Sequence, residues 1–236
     1  MAKITGIGAN LWVDQYNVSG DVGAIDSIAS SRAQLDVTSI EDDYMSRLPG
    51  IGDGSISFTG YFNVTSPSLH NSIGSAFGTA ISIITAAFGT AIGSPAASLG
   101  AARATYNTTR GADGALAVNV SAESGIGYGT DWGVLLAGRG TATGTATTTV
   151  DGGAATTGGA QAYLHVVSVS AGTVTITVQD SSDNSTFNNV TGLSFTATAA
   201  GTAEYKATAA GATIARYLRF NCSGGTAVFA LNVARN

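Results

Sequence analysis

The chain has 236 residues, of which 44% are hydrophobic and only 11% charged, with a net charge of −5 and two lysines, Lys3 and Lys206. The charged share of an ordinary soluble domain is about 25%, so this surface is poorly solvated unless other subunits cover part of it, and the acidic balance excludes a basic face that grips phosphates. A single cysteine, Cys222, excludes an intrachain disulfide and a multi-cysteine metal site.

Taken in chain order, Met1-Ala2-Lys3-Ile4-Thr5 lacks the apolar core of a signal peptide. Residues 9–18 alternate, with Leu11, Val13 and Tyr16 among the apolar positions, and predict a strand. Residues 33–40 predict another, with Leu35 and Val37 on one face. The clearest alternation covers 54–64. Ile56, Phe58, Gly60 and Phe62 point one way, Ser57, Thr59, Tyr61 and Asn63 the other, and Asp53-Gly54 supplies turn chemistry at the start. A short helix is expected from Ser66 as N-cap, with Pro67 at its first position, through Ile73. Further strands are expected at 101–109, 116–124 and 133–136. The segment 73–81 recurs at 84–92, but two copies fall short of the roughly three that a solenoid needs. The apolar run 76–92 is interrupted by Gly78, Thr79, Ser82, Thr85, Gly89 and Thr90, short of the roughly 18 residues of a membrane helix.

A Gly/Thr/Ala-rich run at 138–149, followed by a second soft stretch at 151–160, reads as a flexible or extended connector in which Thr favours some strand. It divides the chain into expected domains at 1–145 and 146–236. The first holds eleven carboxylates against six basic residues and the second four of each, so the whole net charge of −5 belongs to the first. Beyond the divide, strands are expected at 161–170, 173–180, 186–190, 194–198, 202–207, 217–222 and 227–234. Turns fall at Ala171-Gly172, 180–184 and Ser223-Gly224-Gly225. Seven short strands at this spacing predict a small antiparallel sandwich of jelly-roll or immunoglobulin-like type.

Side chains that carry chemistry are sparse. His70 and His165 are the two histidines, neither with Cys, Asp or Glu at metal-ligand spacing. Cys222 sits in an apolar strand pattern and reads as a small buried side chain. Glu41-Asp42-Asp43 is the one dense carboxylate cluster; a solvated or subunit-facing loop outweighs a cation site there. Asp180-Ser181-Ser182-Asp183-Asn184 lacks the Gly and distant Glu of a calcium loop and reads as a hairpin turn. Gly125-Ile126-Gly127-Tyr128-Gly129 does not fit a nucleotide-binding fingerprint. No cofactor, metal or catalytic residue is expected, and an enzyme is the least expected class.

Three C-terminal segments carry a resemblance: Val178-Gln179-Asp180-Ser181-Ser182-Asp183-Asn184-Ser185-Thr186-Phe187, then Phe195-Thr196-Ala197, then Arg216-Tyr217-Leu218-Arg219-Phe220. Together they resemble a module that follows the tube domain in many major tail (tail tube) proteins of long-tailed bacteriophages. The resemblance implies that Tyr217 and Phe220 pack and that Asp183 forms a turn. The N-terminal order of elements is similar to the tail tube fold: an early strand, a long polar loop at 41–53, an aromatic strand, a short helix and further strands. The implied fold is mainly β, a tail-tube-like β sandwich or rolled sheet with one short flanking helix, plus a C-terminal antiparallel β sandwich.

The family's subunits form stacked hexameric rings around a lumen for DNA. The resemblance therefore implies a homo-oligomer in a phage virion, made in the host cytoplasm. Its partners would be tape measure, tail terminator and baseplate hub proteins, with no membrane. Stacking needs an extended arm, and Glu41-Asp42-Asp43-Tyr44-Met45-Ser46-Arg47-Leu48-Pro49-Gly50-Ile51 is the candidate, mixing acidic, basic, aromatic and aliphatic groups as interfaces do. The alternatives are a capsid decoration protein and a carbohydrate-binding module. The second is disfavoured because such sites present exposed aromatics and the second domain has no Trp.

Overall fold

The computed structural model describes residues 8–65, 68–74, 81–125, 129–138, 140–170, 172–197 and 201–236. The expected mainly-β fold forms, with all strand pairs antiparallel. In chain order the strands are β1 (Asn10–Val13), β2 (Tyr16–Asn17), β3 (Val22–Asp36), β4 (Arg47–Tyr61), β5 (Ser82–Ala87), β6 (Pro95–Arg110), β7 (Leu116–Ser124) and β8 (Asp131–Ala137). They continue with β9 (Thr141–Thr145), β10 (Val150–Asp151), β11 (Ala160–Val169), β12 (Val174–Ser181), β13 (Asn188–Ala197), β14 (Thr202–Ala207) and β15 (Tyr217–Arg235). One π-helical turn, His70–Gly74, follows β4.

Two long strands organise the molecule. β6 pairs with β5 and β8 over its first half and with β7 over its second. β15 pairs with β12 over its first half and with β11 and β8 over its second. Each long strand passes from one layer of a sandwich to the other. The first sandwich encloses Leu11, Val13, Ile56, Phe58, Ile84, Leu99, Val118 and Val120. The second encloses Leu164, Ile176, Val178, Leu193, Phe195, Phe229 and Leu231. β8 lies between β6 and β15 and makes the sheet continuous from β13 to β2.

Period-two geometry fixes what lies between the sandwiches. Leu11 and Val13 enter the first core, so Trp12 faces the other way, against Ala87, Ala96, Leu135 and Ala230. The same parity on β5, β6, β11 and β15 brings Thr85, Ser98, His165 and Asn232 into this seam, all buried. They form one hydrogen-bonded chain. Asn232 Nδ2 donates to Ser98 Oγ at 2.7 Å, Ser98 meets Thr85 at 2.7 Å, and Thr85 meets His165 Nε2 at 2.7 Å. His165 Nδ1 lies 2.7 Å from the Asp14 carbonyl. That carbonyl can only accept, so Nδ1 carries the proton, and every hydroxyl in the chain then donates toward Nε2.

Several sequence expectations are corrected. Residues 9–18 form a tight hairpin rather than one strand, because Asp14 takes φ 50° and its carboxylate accepts the Ile83 N–H at 2.8 Å. Of the strand expected at 33–40 only 33–36 forms, as the outer end of β3, which begins at Val22; 37–40 belong to the hairpin tip. The polar loop expected at 41–53 is shorter, because Arg47, Leu48 and Pro49 already belong to β4, and Asp53-Gly54 lies within that strand rather than at a turn. Ser223-Gly224-Gly225 is no turn either: β15 runs through it with a shift of register, Gly224 taking φ 87°. The stretches 186–190 and 194–198 are replaced by the single strand β13, and parts of the 138–160 connector form β9 and β10.

Other expectations hold. Ile56, Phe58 and Gly60 face inward along β4. Leu69, just before the helical turn, and Ile73 within it pack on that core. The Leu69 N–H donates to Asp21 Oδ2 at 2.9 Å, and Ser68 Oγ accepts the Asn71 N–H. The expected Ser66 and Pro67 cap lies outside the described residues, as do positions 75–80 of the internal repeat. Cys222 is buried, and Asp183 forms its turn by accepting the Ser185 and Thr186 N–H groups.

Candidate assembly surface: the projecting β3–β4 hairpin

β3 and β4 are each 15 residues long. At about 3.3 Å per residue the hairpin spans roughly 50 Å. Its inner part is sheet: residues 55–61 of β4 also pair with β7. From the Ser30↔Gly54 pair out to Asp36↔Arg47 it is a two-stranded ribbon. An isolated ribbon of this kind is marginal in water.

The ribbon is fixed at its root. Thr130 Oγ1 donates to the Ala29 carbonyl at 2.8 Å, and Ser124 Oγ donates to Asp53 Oδ1 at 3.0 Å. Gly54 sits so close to the neighbouring loop that a Cβ there would lie 2.2 Å from the Thr130 nitrogen. A polar groove of about 740 Å³ flanks this root, lined in part by Ser30, Arg32, Asp53, Asp131 and Gln161. Asp131 accepts the Tyr163 hydroxyl, and burial pushes its carboxyl above the ordinary range.

The tip, residues 37–46, is closed by its own short polar side chains. The Thr38 N–H donates to Asp36 Oδ1 at 2.9 Å, the Ser46 N–H to Thr38 Oγ1 at 2.9 Å, and the Ser39 N–H to Asp42 Oδ2 at 2.8 Å. The bonds from Thr38 hold the Asp36 carboxyl below its usual range. Such local bonds shape a loop without a core beneath it.

All eight residues expected at an intersubunit contact fall on this outer hairpin, and all are exposed. Glu41, Asp42, Asp43, Tyr44 and Met45 lie in the tip, Arg47, Leu48 and Pro49 at the start of β4. The Arg47 guanidinium reaches Met45 Sδ at 3.3 Å. Leu35, Val37, Ile40 and Ile51 add to the exposed apolar surface, with Ile40 at 104%, Ile51 at 88% and Tyr44 at 87% exposure. Seven of the thirteen large apolar residues exposed among the described residues are therefore on one arm. Each is worth roughly 1.5–3 kcal/mol on full burial. Scattered exposed apolar residues are ordinary; seven gathered on one projection are not.

Sheet edges supply a second kind of contact. Among the described strands β3 pairs only with β4, and β13 only with β12, so each offers an unpaired row of backbone groups.

No family model matches the chain, and no curated protein matches it. Among solved structures it is similar to the Dit protein of phage SPP1, described as a paradigm of the hub adsorption apparatus in phages that infect Gram-positive bacteria. The similarity covers 96% of this chain and 99% of that one, at 10% identity and a TM-score of 0.32. Superposition that loose fixes no residue role.

Proposed function

We propose that this chain is a non-catalytic phage virion protein that docks onto copies of itself, forming the stacked hexameric rings of a tail tube. The carrying observation is the arm: roughly 23 Å of two-stranded ribbon beyond the sheet, ending in the tip at 37–46, directed by a tight root, with seven large apolar side chains and no core of its own. Seating it on a neighbouring ring removes that surface from water and orders the ribbon. The open edges of β3 and β13 suit pairing around a ring, which removes edges by closure. The resemblance of the C-terminal segments to the major tail protein module supports the same reading. An acidic chain also suits a conduit, because a basic lumen would hold DNA phosphates. Tape measure, terminator and hub proteins are the further partners this reading implies.

Negative-stain imaging of the purified protein tests it. Rings or tubes are expected, and isolated compact trimers would instead mark a decoration protein. In the double variant Ile40→Asp, Tyr44→Asp, stacking should be lost while the urea midpoint of the subunit stays unchanged, since neither side chain touches a core. Tubes that persist in this variant would remove the arm from the inter-ring contact.

A further inference from the structure

We propose that the cleft in front of Trp132 binds a neutral pyranose sugar. The cleft has a volume of about 400 Å³ and is lined by Pro95, Trp132, Val134, Val150, Asp151 and Arg235 among others. Ligand pockets span about 300–1,000 Å³, so it has room for one sugar ring. This site is independent of the tube reading and uses none of the arm.

Its floor is a prepared aromatic platform. Trp132 is 50% exposed on β8. Phe88 stacks behind it, with ring centroids 6.0 Å apart and planes at 15°. Phe88 is not part of the cleft lining, so its stacking leaves the opposite face of the indole free of that ring. The strand beneath is paired on both sides, with β6 and β15, and packs so closely that a Cβ at the adjacent Gly133 would come within 2.3 Å of the Val233 carbonyl oxygen. An indole held flat in this way suits the C–H face of a pyranose, which is apolar and rigid.

The rim supplies fixed polar partners. Asp151 receives Arg216 Nε and Nη2, both at 2.7 Å, and the Gly153 N–H at 2.8 Å. A carboxylate offers about four lone-pair sites, so one acceptor position remains for a hydroxyl. Arg235 donates to the Ala154 and Arg216 carbonyls at 3.2 and 2.7 Å. Its guanidinium has further N–H groups to give. Both side chains are thus oriented before a ligand arrives, which lowers the ordering cost of binding. Asp151 and Asp180 balance Arg216 and Arg235 in this neighbourhood, so charge selects neither an anion nor a cation. A ligand with one apolar face and hydroxyls that both donate and accept matches these partners. An alkyl group leaves the rim unmatched.

Trp12 is buried, so Trp132 is the indole of the two that reports on solvent-side binding. Intrinsic fluorescence of the full chain is titrated with methyl α-D-glucopyranoside, methyl β-D-galactopyranoside and N-acetylglucosamine. At least one should give a saturable change with Kd on the order of 1 mM. Trp132→Ala, followed by one-dimensional saturation-transfer NMR of the sugar, should abolish binding, and Trp132→Phe should restore part of it. Cyclohexanol should bind at least about tenfold more weakly than that sugar. Three results would overturn the proposal: no saturable change with any sugar, unaltered binding by Trp132→Ala, or equal binding of cyclohexanol. A Trp132 signal that responds only to protein concentration would also overturn it, by showing the cleft covered by another copy.

Discussion

Replacing His165 with glutamine should flatten a step in the stability of this protein between about pH 6.5 and pH 4. His165 is fully buried in the seam between the two sandwiches, and burial lowers its pKa from 6.5 to about 4, against a smaller raising effect of its bond to the Asp14 carbonyl. A second proton on Nε2 would also reverse the hydroxyl chain. Thr85 would have to donate to Ser98, which already accepts from Asn232, leaving the Ser98 hydroxyl proton without its acceptor. In the unfolded chain the ring takes its proton near 6.5. The folded state therefore keeps its full advantage above that pH and loses it as pH falls toward 4. A shift of this size is worth about 3 kcal/mol. Asp14 and Asp131, pushed up by burial, act in the opposite sense in the lower part of this window. The difference between wild type and variant isolates the histidine. Glutamine keeps one donor and one acceptor but cannot titrate. The assay is urea unfolding at closely spaced pH values, followed by Trp12 fluorescence, because Trp12 stacks 6.3 Å from the His165 ring. A difference curve that is level through the window would refute the neutral, donor-at-Nδ1 assignment.

Other substitutions test the core, the arm root and the cleft rim. Phe58→Ala, in the first core at 0% exposure, should cost about 3–5 kcal/mol in denaturant unfolding. Gly54→Ala would place a Cβ 2.2 Å from the Thr130 nitrogen; it should destabilise the subunit by at least about 1–3 kcal/mol and weaken tube formation, while Gly52→Ala, with its nearest contact at 3.9 Å, should do neither. The Asp151 carboxyl should titrate at about 2, held down first by its bonds from Arg216. Carbon-detected NMR should show it moving toward 3.8 in Arg216→Ala, and an unmoved titration would mean the ion pair does not form in solution.

The sequence made the core strands legible wherever one face is buried and the other wet. β4 and β7 alternate because Ile56, Phe58, Val118, Val120 and Ala122 share an interior, and period two follows from the pleat. Where the register shifts, the period breaks. In residues 22–32 of β3, shifts between Val22 and Ala24 and between Ile25 and Ser27 put the core-facing Val22, Ile25 and Ile28 three residues apart, so no period-two pattern is legible before residue 33. The breaks placed at Ser223-Gly224-Gly225 and between 190 and 194 rest on turn-forming residues, yet they are irregularities within strands: the β12 register skips residues 190–193, and β9 pairs on both sides of residues 223–226. β15 is held by β12, β11, β9 and β8 along its length, and Gly224 serves a bulge there instead of a hairpin. The cleft was hidden for a different reason. Its tryptophan lies in β8, before the divide drawn at 145, while Asp151 and Arg235 come after it. A search of the second domain alone finds no Trp.

The contrast between the arm's two ends bears most on assembly. Charges do line the arm, at Arg32, Asp36, Glu41, Asp42, Asp43 and Arg47, as exposed edges usually carry, yet seven large apolar side chains stand exposed among them. Here the root is immobilised by Gly54, Thr130 and Asp53, which have no apolar surface to bury against a partner. Ile40, Tyr44, Met45, Leu48 and Ile51 are placed beyond reach of either core. Fixing the direction of a ribbon while leaving its apolar load in water costs stability in the isolated subunit. On the proposed reading the direction of the arm is fixed beforehand and only the ribbon beyond the root is ordered when a neighbour arrives, so more of the burial energy would appear as affinity. On the proposed reading, stacking and a marginal free arm are consequences of the same placement, and loosening the root should weaken assembly even with every apolar side chain of the tip intact.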